Sequence, residues 1–190
     1  MSEVNERKVK LVDVRLSFPD LFEATQYQGA GKFRYNASFL IVPGSENDKK
    51  VQAAIKAAAL EVWPKKADAM IESFKGNSNK YCYVKGDTKE YEGYKGMLVL
   101  ASHRQKDAGR PAVFDQRKNP LGPEDGKPYA GCYVNATVEL WAQDGKNPGI
   151  RCGLLGVQFA RDGDAFSGAG SGSPDDFDDL GEGADAESLV

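Results

Sequence analysis

Residues 132–141 read CYVNATVELW and contain the clearest strand pattern in the chain. Every second position is apolar, and the intervening positions carry polar or aromatic side chains. Such alternation is typical of an antiparallel strand with one face against a core and the other toward solvent. The apolar face would consist of Cys132, Val134, Ala136, Val138 and Leu140.

Two stretches nearer the N-terminus repeat this alternation. The first, Val9 to Phe18, predicts a strand that ends at Pro19, and the second, Lys32 to Val42, predicts its neighbour. The predicted buried face of the first strand comprises Val12, Val14, Leu16 and Phe18, with Asp13, Arg15 and Ser17 opposite. That of the second comprises Phe33, Tyr35, Ala37, Phe39 and Ile41.

A helical insertion follows at about residues 45–74. Ser45 with Asp48 resembles a capping box, and apolar residues then recur at helical spacing as far as Trp63. Pro64 ends this helix, and a shorter helical stretch would follow up to Phe74.

Strand patterns resume at 80–85, 97–104, 112–115 and 150–160, between segments rich in Gly and Pro. Strands, one helical region and then more strands do not form a βαβ repeat. The order predicts a mainly β protein, built as a closed or nearly closed antiparallel barrel with one helical insertion.

Charge is divided unevenly along the 190 residues, whose net charge is -3. Residues 162–190 contain nine acidic side chains and no Lys or Arg, so residues 1–161 hold 19 acids against all 25 bases, a net charge of +6. Residues 167–174 read SGAGSGSP, which is the composition of a flexible linker. We therefore predict a basic domain at 1–161 and a disordered acidic tail at 162–190.

The tail has two interpretations. It is either a solubilising terminus or a segment that attracts partners by charge and docks through isolated apolar residues. The second interpretation makes the stretch PDDFDDL the candidate contact, through Asp175, Asp176, Phe177, Asp178, Asp179 and Leu180.

Several kinds of chemistry are disfavoured by composition. His103 is the single histidine, and the three cysteines, Cys82, Cys132 and Cys152, are widely spaced with no metal-binding motif, which fits a reducing cytosol. Phosphate-binding and dinucleotide-binding glycine motifs are absent, as are an apolar run of membrane-spanning length and an N-terminal signal segment. We predict a cytoplasmic protein that is not an enzyme and needs neither metal nor cofactor.

Aromatic residues interleaved with bases are the positive signal. A basic groove with aromatic platforms is how proteins hold single-stranded nucleic acid, although any one strand tyrosine is also typical of core packing. The stacking candidates are Tyr81, Tyr83, Tyr91, Tyr94, Tyr133 and Trp141. The phosphate-contact candidates are Lys32, Arg34, Lys80, Lys85, Lys95, Arg104, Arg110, Arg117 and Lys118.

The chain also resembles a known family. The stretches VRLSFPDLF (14–22), KFRYNASFLIV (32–42), GRPAVFD (109–115), YAGCYVNA (129–136) and GLLGVQ (153–158) are similar to signatures of a phage family of single-stranded DNA-binding proteins. The resemblance covers roughly residues 9–160. It implies an OB-fold core, sequence-independent coating of unwound DNA in phage replication or recombination, and an acidic tail that recruits replication or recombination proteins.

Two further functions compete with this interpretation. One is a non-enzymatic structural or assembly protein of a virion, which would explain the strands but not the basic and aromatic clusters. The other is a small hydrolase or nuclease that uses His103. With single-stranded DNA as the partner, we expect the tail to fold back and compete with it, and a homo-oligomer is possible.

Overall fold

The computed structural model describes residues 4–26, 29 and 31–166. These residues form seven strands and two α-helices, joined by loops and short 3-10 turns. The elements are β1 (Lys8–Thr25), β2 (Arg34–Ile41), α1 (Glu46–Val62), α2 (Ala67–Phe74), β3 (Tyr83–Lys85), β4 (Leu98–Gln105), β5 (Ala112–Phe114), β6 (Tyr133–Gln143) and β7 (Gly149–Arg161).

Five strands close into a barrel. The sheet order is β3-β4-β2-β1-β6-β7-β5, and β4 also pairs with β7, which joins the two sides of the sheet. The closing pair is parallel and brings His103 opposite Gly153, whereas the other barrel pairings are antiparallel. The predicted OB-fold-like barrel is thus confirmed, with parallel closure as the one exception to its antiparallel pairing.

β1 differs from its prediction because two irregularities change which side chains face the core. Its register with β6 shifts between Leu11 and Val14, and Asp13 there adopts a φ of 55°. One extra residue in a strand moves the following side chains to the other face. Val12 is consequently 48% exposed, while Leu11 and Val14 are both buried.

The second irregularity lies at the predicted end of the strand. Phe18 has a φ of 46°, and the pairing of β1 with β2 shifts between Ser17 and Asp20. Phe18 is therefore 54% exposed, and Ser17 is buried instead. Pro19 does not end the strand, which continues to Thr25. The prediction that Val12 and Phe18 lie on the buried face was wrong.

β2 and β6 follow their patterns closely. In β2 the alternate residues from Tyr35 to Ile41 are buried, and in β6 the same holds from Val134 to Leu140. Phe33 precedes β2 and is 48% exposed, so it does not belong to the buried face predicted for it. Leu40 of β2 is also buried, in a second cluster with Tyr94 and Val99.

The helical insertion consists of two helices that pack on the barrel. The side chain of Ser45 caps α1 by accepting a hydrogen bond from the backbone of Asp48, at 3.3 Å. The buried face of α1 lies against β6, β1 and α2. Trp63 closes its C-terminal end against Phe74 of α2, with 5.6 Å between the ring centroids.

β3 is shorter than the predicted strand at 80–85. Only Tyr83–Lys85 pairs with β4, and Tyr81 forms an isolated bridge with Ile150. The three cysteines lie in or near the core as free thiols, and burial raises the pKa of Cys82 to about 12. Within the described part of the chain, neither helix is long and apolar enough to cross a membrane.

Candidate nucleic-acid interface

The outer surface of β2 and β4 is the candidate binding surface. Its side chains alternate with the buried ones and pair across the strands: Arg34 lies opposite Gln105, Asn36 opposite His103, and Ser38 opposite Ala101. We call these six residues the β2–β4 face. They belong to the second and third strands of the barrel, whose outer surface binds oligonucleotides in OB-folds.

The pKa of His103 shows that the β2–β4 face is positively charged. Partial burial, the positive charge of Arg34 and the positive charge of Arg151 together lower its pKa to about 4. The ring is therefore neutral at pH 7, and two guanidinium groups supply the positive potential around it. Such a potential attracts phosphate groups.

Arg151 extends the positive charge toward the β6–β7 turn. A polar cleft of about 430 Å³ lies there, lined in part by Lys80, Lys146 and Arg151. Arg151 also donates a hydrogen bond to the backbone carbonyl of Asn79, which holds its guanidinium at this cleft. The turn between the fourth and fifth barrel strands is a second region that contacts oligonucleotides in OB-folds.

Three aromatic side chains border the β2–β4 face beside β1. Phe18 packs edge-on against Tyr91 with 4.8 Å between centroids, and Tyr91 packs against Tyr94 at 5.2 Å. The Tyr94 hydroxyl donates to Ser17 Oγ at 2.8 Å, which fixes the group on β1. We call Phe18, Tyr91 and Tyr94 the aromatic edge, and the first two expose 54% and 52% of their surface.

A second aromatic–basic border lies near the end of β4. The ammonium group of Lys106 lies 5.6 Å from the ring centroid of the exposed Phe33. Arg110 stands similarly over Phe22, at 5.9 Å. Aromatic rings beside mobile positive charges suit stacking of a base and pairing of its phosphate at the same place.

Burial corrects three of the six predicted stacking residues. Tyr81 and Tyr83 are each 6% exposed and Tyr94 is 3% exposed, so none of these rings presents a face to solvent. The Tyr83 hydroxyl donates to Asp48 of α1 at 2.7 Å, and burial raises the pKa of both Tyr81 and Tyr83. Tyr81 and Tyr83 pack with the helices in the main core, whereas Tyr94 packs with Leu40 and Val99 in a second buried cluster.

The other three predicted stacking residues, Tyr91, Trp141 and Tyr133, lie at the surface in different surroundings. Tyr91 belongs to the aromatic edge, and Trp141 is 37% exposed opposite Arg151 on the β6–β7 hairpin. Tyr133 is half-buried, and the guanidinium of Arg161 lies 3.6 Å from its ring centroid. One face of Tyr133 is therefore already covered by a cation.

The predicted phosphate contacts are spread over several surfaces. Arg34, Lys32 and Lys80 lie on or beside the β2–β4 face and its polar cleft, and Lys95 lies on the segment that carries the aromatic edge. Lys85 lines a groove beside the helices, described below.

Three of the other predicted bases, Arg104, Arg117 and Lys118, have separate surroundings. The guanidinium of Arg104 donates to the carbonyls of Ala108 and Gly109, at 2.8 Å each, and so holds a loop. Lys118 lines a separate pocket with Lys8 and Lys10, on the outside of β6 and β7. Arg117 is its exposed neighbour in sequence. Arg104 and Lys118 therefore lie on different parts of the barrel, although they are fourteen positions apart in the sequence.

Sequence reasoning missed Phe18, Phe33, Asn36, His103 and Arg151 as parts of this surface. Phe18 was assigned to the core because its bulge carries no clear sequence signal. His103 and Arg151 come together only through the parallel closure of β4 on β7, which a local pattern cannot reveal.

Residues 162–166, here called the strap, lie against the barrel. Tyr129 donates its hydroxyl proton to Asp162 at 2.6 Å, and Arg15 donates to the carbonyl of Asp164 at 2.7 Å. The Phe166 ring lies 4.2 Å from the Arg15 guanidinium. A Cβ at Gly93 would approach that ring to 2.7 Å, so Gly93 makes room for it.

Residues 162–166, which the sequence analysis assigned to the tail, thus contact the barrel. The tail residues assigned to partner contacts, Asp175 to Leu180, lie outside the described residues. Within residues 4–26, 29 and 31–166, no group of three or more His, Cys, Asp or Glu side chains could hold a metal ion.

Comparison with known protein families shows which family the chain belongs to. The family described as the single-stranded DNA-binding protein of Enterobacter phage Enc34 matches residues 7–189. The chain belongs to this family. The resemblance found in the sequence is thereby confirmed, over a longer stretch than the quoted signatures cover.

Two relatives illustrate the similarity, one in sequence and one in fold. The protein p50 of Acyrthosiphon pisum secondary endosymbiont phage 1 is 46% identical over 186 residues, covering 96% of this chain and 99% of p50. The single-stranded DNA-binding protein of bacteriophage Enc34, solved in complex with single-stranded DNA, superposes with a TM-score of 0.69 at 20% identity and covers 87% of this chain and 96% of its own.

A more distant solved structure shares the architecture of this chain. The single-stranded DNA-binding protein gp2.5 encoded by bacteriophage T7 superposes with a TM-score of 0.56 at 10% identity. It covers 83% of this chain and 93% of its own. At these identities the two solved structures establish the OB-fold-like barrel.

Proposed function

We propose that this protein binds single-stranded DNA without sequence preference on the β2–β4 face. The observation that carries the proposal is the pair Arg34 and Arg151 around His103, which together with burial lower the pKa of that histidine to about 4. Membership of the Enc34 family supports the same ligand class. The strand would run between the two aromatic borders, with bases on Phe18, Tyr91 and Phe33 and phosphates near the arginines.

The binding role is non-enzymatic and belongs to phage replication or recombination in the cytoplasm of an infected host cell. The acidic tail then has two uses. Its nine negative charges compete with DNA for the basic domain, because tethering gives them a high effective concentration. Duplex DNA is excluded most strongly, since it offers no free base faces. Once displaced by DNA, the tail is available to replication or recombination proteins.

The single histidine gives a direct test of the site. A phosphate between Arg34 and Arg151 would offset their charge and raise the pKa of His103. We expect an NMR titration of the imidazole protons to give a pKa near 4 in the free protein and a higher value with oligo-dT present. Tight binding of oligo-dT with an unchanged His103 pKa would place the site elsewhere on the barrel.

Fluorescence anisotropy tests the ligand itself. We expect labelled oligo-dT to bind at about 50 mM salt and more weakly at about 200 mM, because phosphate contacts release counterions. Combined Arg34→Gln and Arg151→Gln substitutions should weaken binding, whereas the matched pair Lys49→Gln and Lys65→Gln on the exposed helical side should not. Absence of binding in both the full chain and a chain truncated after Phe166 would favour a structural role in the virion.

A further inference from the structure

A groove runs between the two helices and the strand β3, away from the β2–β4 face. Its volume is about 910 Å³, and it is lined by α1, α2, β3 and the segment that follows β3. Its apolar lining consists of Ile55, Ile71, Tyr81, Tyr83, Val84 and Leu98. An apolar cavity of this size is large enough for several side chains of a bound segment.

One wall of the groove is a strand edge. β3 ends the sheet order and, among the described residues, pairs along its length with β4. Ala101 donates to the Cys82 carbonyl and Gly86 donates to the Met97 carbonyl across the β3–β4 pair, whereas the Cys82 N–H donates to the carbonyl of Ile150 on β7. Alternation turns the backbone groups of Tyr83 and Lys85 away from β4. There the Lys85 carbonyl accepts a hydrogen bond from the Thr88 hydroxyl at 2.7 Å. Such an edge can accept an extended segment as an added strand.

The rim of the groove carries more positive than negative charge. Lys56 forms an ion pair with Asp68, and Lys75 pairs with Glu72. Lys85 and Lys89 also line the groove, and within the described part of the chain neither takes part in a salt bridge. The groove therefore suits an extended segment that alternates acidic and apolar residues.

The tail contains a segment with these properties. Residues 174–180 read PDDFDDL, with Phe177 between two pairs of aspartates and Leu180 directly after the second pair. We propose that the groove binds this segment of the same chain, with Phe177 in the apolar lining and neighbouring aspartates beside Lys85 and Lys89, which leaves Glu182, Asp185 and Glu187 to compete with DNA. The added segment would run along β3, on the side that the backbone groups of Tyr83 face.

The chain is long enough for this contact within one molecule. Phe166 lies against Gly93, and Lys89 at the groove is only four residues from Gly93, a span of at most about 14 Å. Phe177 follows Phe166 by eleven residues, which reach at most about 40 Å when extended. The Gly- and Ser-rich stretch between them imposes little stiffness.

Photo-cross-linking of the full chain tests the proposal without DNA. With the photoreactive residue p-benzoylphenylalanine in place of Phe177, irradiation should join position 177 to groove residues such as Ile71, Val84 or Leu98, as mapped by mass spectrometry. The product should migrate as a monomer. Cross-links confined to the β2–β4 face, a covalent dimer as the main product, or no cross-link would each overturn the proposal.

Charge substitutions provide the matched control. Combined Lys85→Glu and Lys89→Glu substitutions should reduce the groove cross-link severalfold, because they repel the aspartates. Lys49→Glu with Lys65→Glu changes the charge equally outside the groove and should leave the yield unaltered. Equal yields of the groove cross-link from both double variants would show that Lys85 and Lys89 do not bind the aspartates, which would overturn the proposal. Failure here leaves DNA binding by the β2–β4 face untouched, since the assay contains no nucleic acid.

Discussion

Two tyrosine-bearing regions of this protein differ in how far their rings are exposed to solvent. Tyr83 on β3 is 6% exposed and bonds Asp48, whereas Tyr91 on the following segment is 52% exposed and packs edge-on against Phe18. Both stand among lysines in the sequence. The difference is that α1 covers one and leaves the other at the border of the β2–β4 face. Aromatic residues among bases therefore indicate either core or interface, and neighbouring elements decide which.

The largest effect should come from the buried tyrosine. Tyr83→Ala removes a core ring and the hydrogen bond that its hydroxyl donates to Asp48. We expect the free energy of unfolding to fall by about 3–5 kcal/mol in urea titrations. Tyr91→Ala, the matched exposed variant, should change it by less than about 0.5 kcal/mol. Equal losses would show that the contrast in burial does not exist in solution.

His103 should make stability depend on pH. Its folded pKa of about 4 lies below the ordinary histidine value of 6.5, so the unfolded chain binds a proton more readily. The contribution of the neutral ring is therefore complete above about pH 6.5 and is lost as pH falls toward 4. At pH 5 the loss is on the order of 2 kcal/mol.

Urea unfolding at pH 7 and pH 5 measures this effect. The natural chain should lose about 2 kcal/mol more than His103→Gln between the two conditions, since glutamine does not titrate. Identical losses in the two proteins would mean that His103 is neither desolvated nor near Arg34 and Arg151.

The exposed tyrosine should matter for binding instead. Tyr91→Ala removes one half-exposed stacking platform, which we expect to cost about 1 kcal/mol, or roughly fivefold in affinity for oligo-dT. Leu60→Ala, at an exposed position of α1, should have no effect. If Tyr91→Ala binds as tightly as the natural chain, the aromatic edge is not part of the DNA path.

The smallest expected effect distinguishes the two sides of the barrel. Arg34→Gln should lower the slope of log affinity against log salt by about 0.7, the value for one phosphate contact with a single strand. Lys118→Gln removes a charge from the pocket on the opposite side, over β6 and β7, and should leave that slope unchanged. A reduced slope for Lys118→Gln would indicate that the strand wraps around the barrel.

Much of the fold could be predicted because local patterns express it. The alternation of β2 and β6 and the cap at Ser45 each depend on a few neighbouring residues, and all three are present in the structure. The bulges of β1 could not be predicted. At Asp13 and Phe18 the backbone takes positive φ values that neither residue type requires, so the faces were misassigned.

The candidate site depended on contacts that are distant in sequence. Arg34 and Lys80 were identified as bases, but their grouping with His103 and Arg151 arises from the closure of β4 on β7. Tyr81 and Tyr83 were misassigned because α1 and α2, which cover them, pack from a separate part of the chain. Composition records which side chains exist, and packing decides their exposure.

The sequence alone determined a mainly β barrel with a helical insertion, the uneven division of charge along the chain, and the resemblance to a phage family of single-stranded DNA-binding proteins. These follow from periodicity, charge and local signatures, which are properties of neighbouring residues. Tertiary structure alone decided which aromatics are exposed, which bases share a surface, and that the strap returns to the barrel. Those outcomes depend on strand register and on elements that meet only after the chain has folded, because burial is a property of the whole packing arrangement.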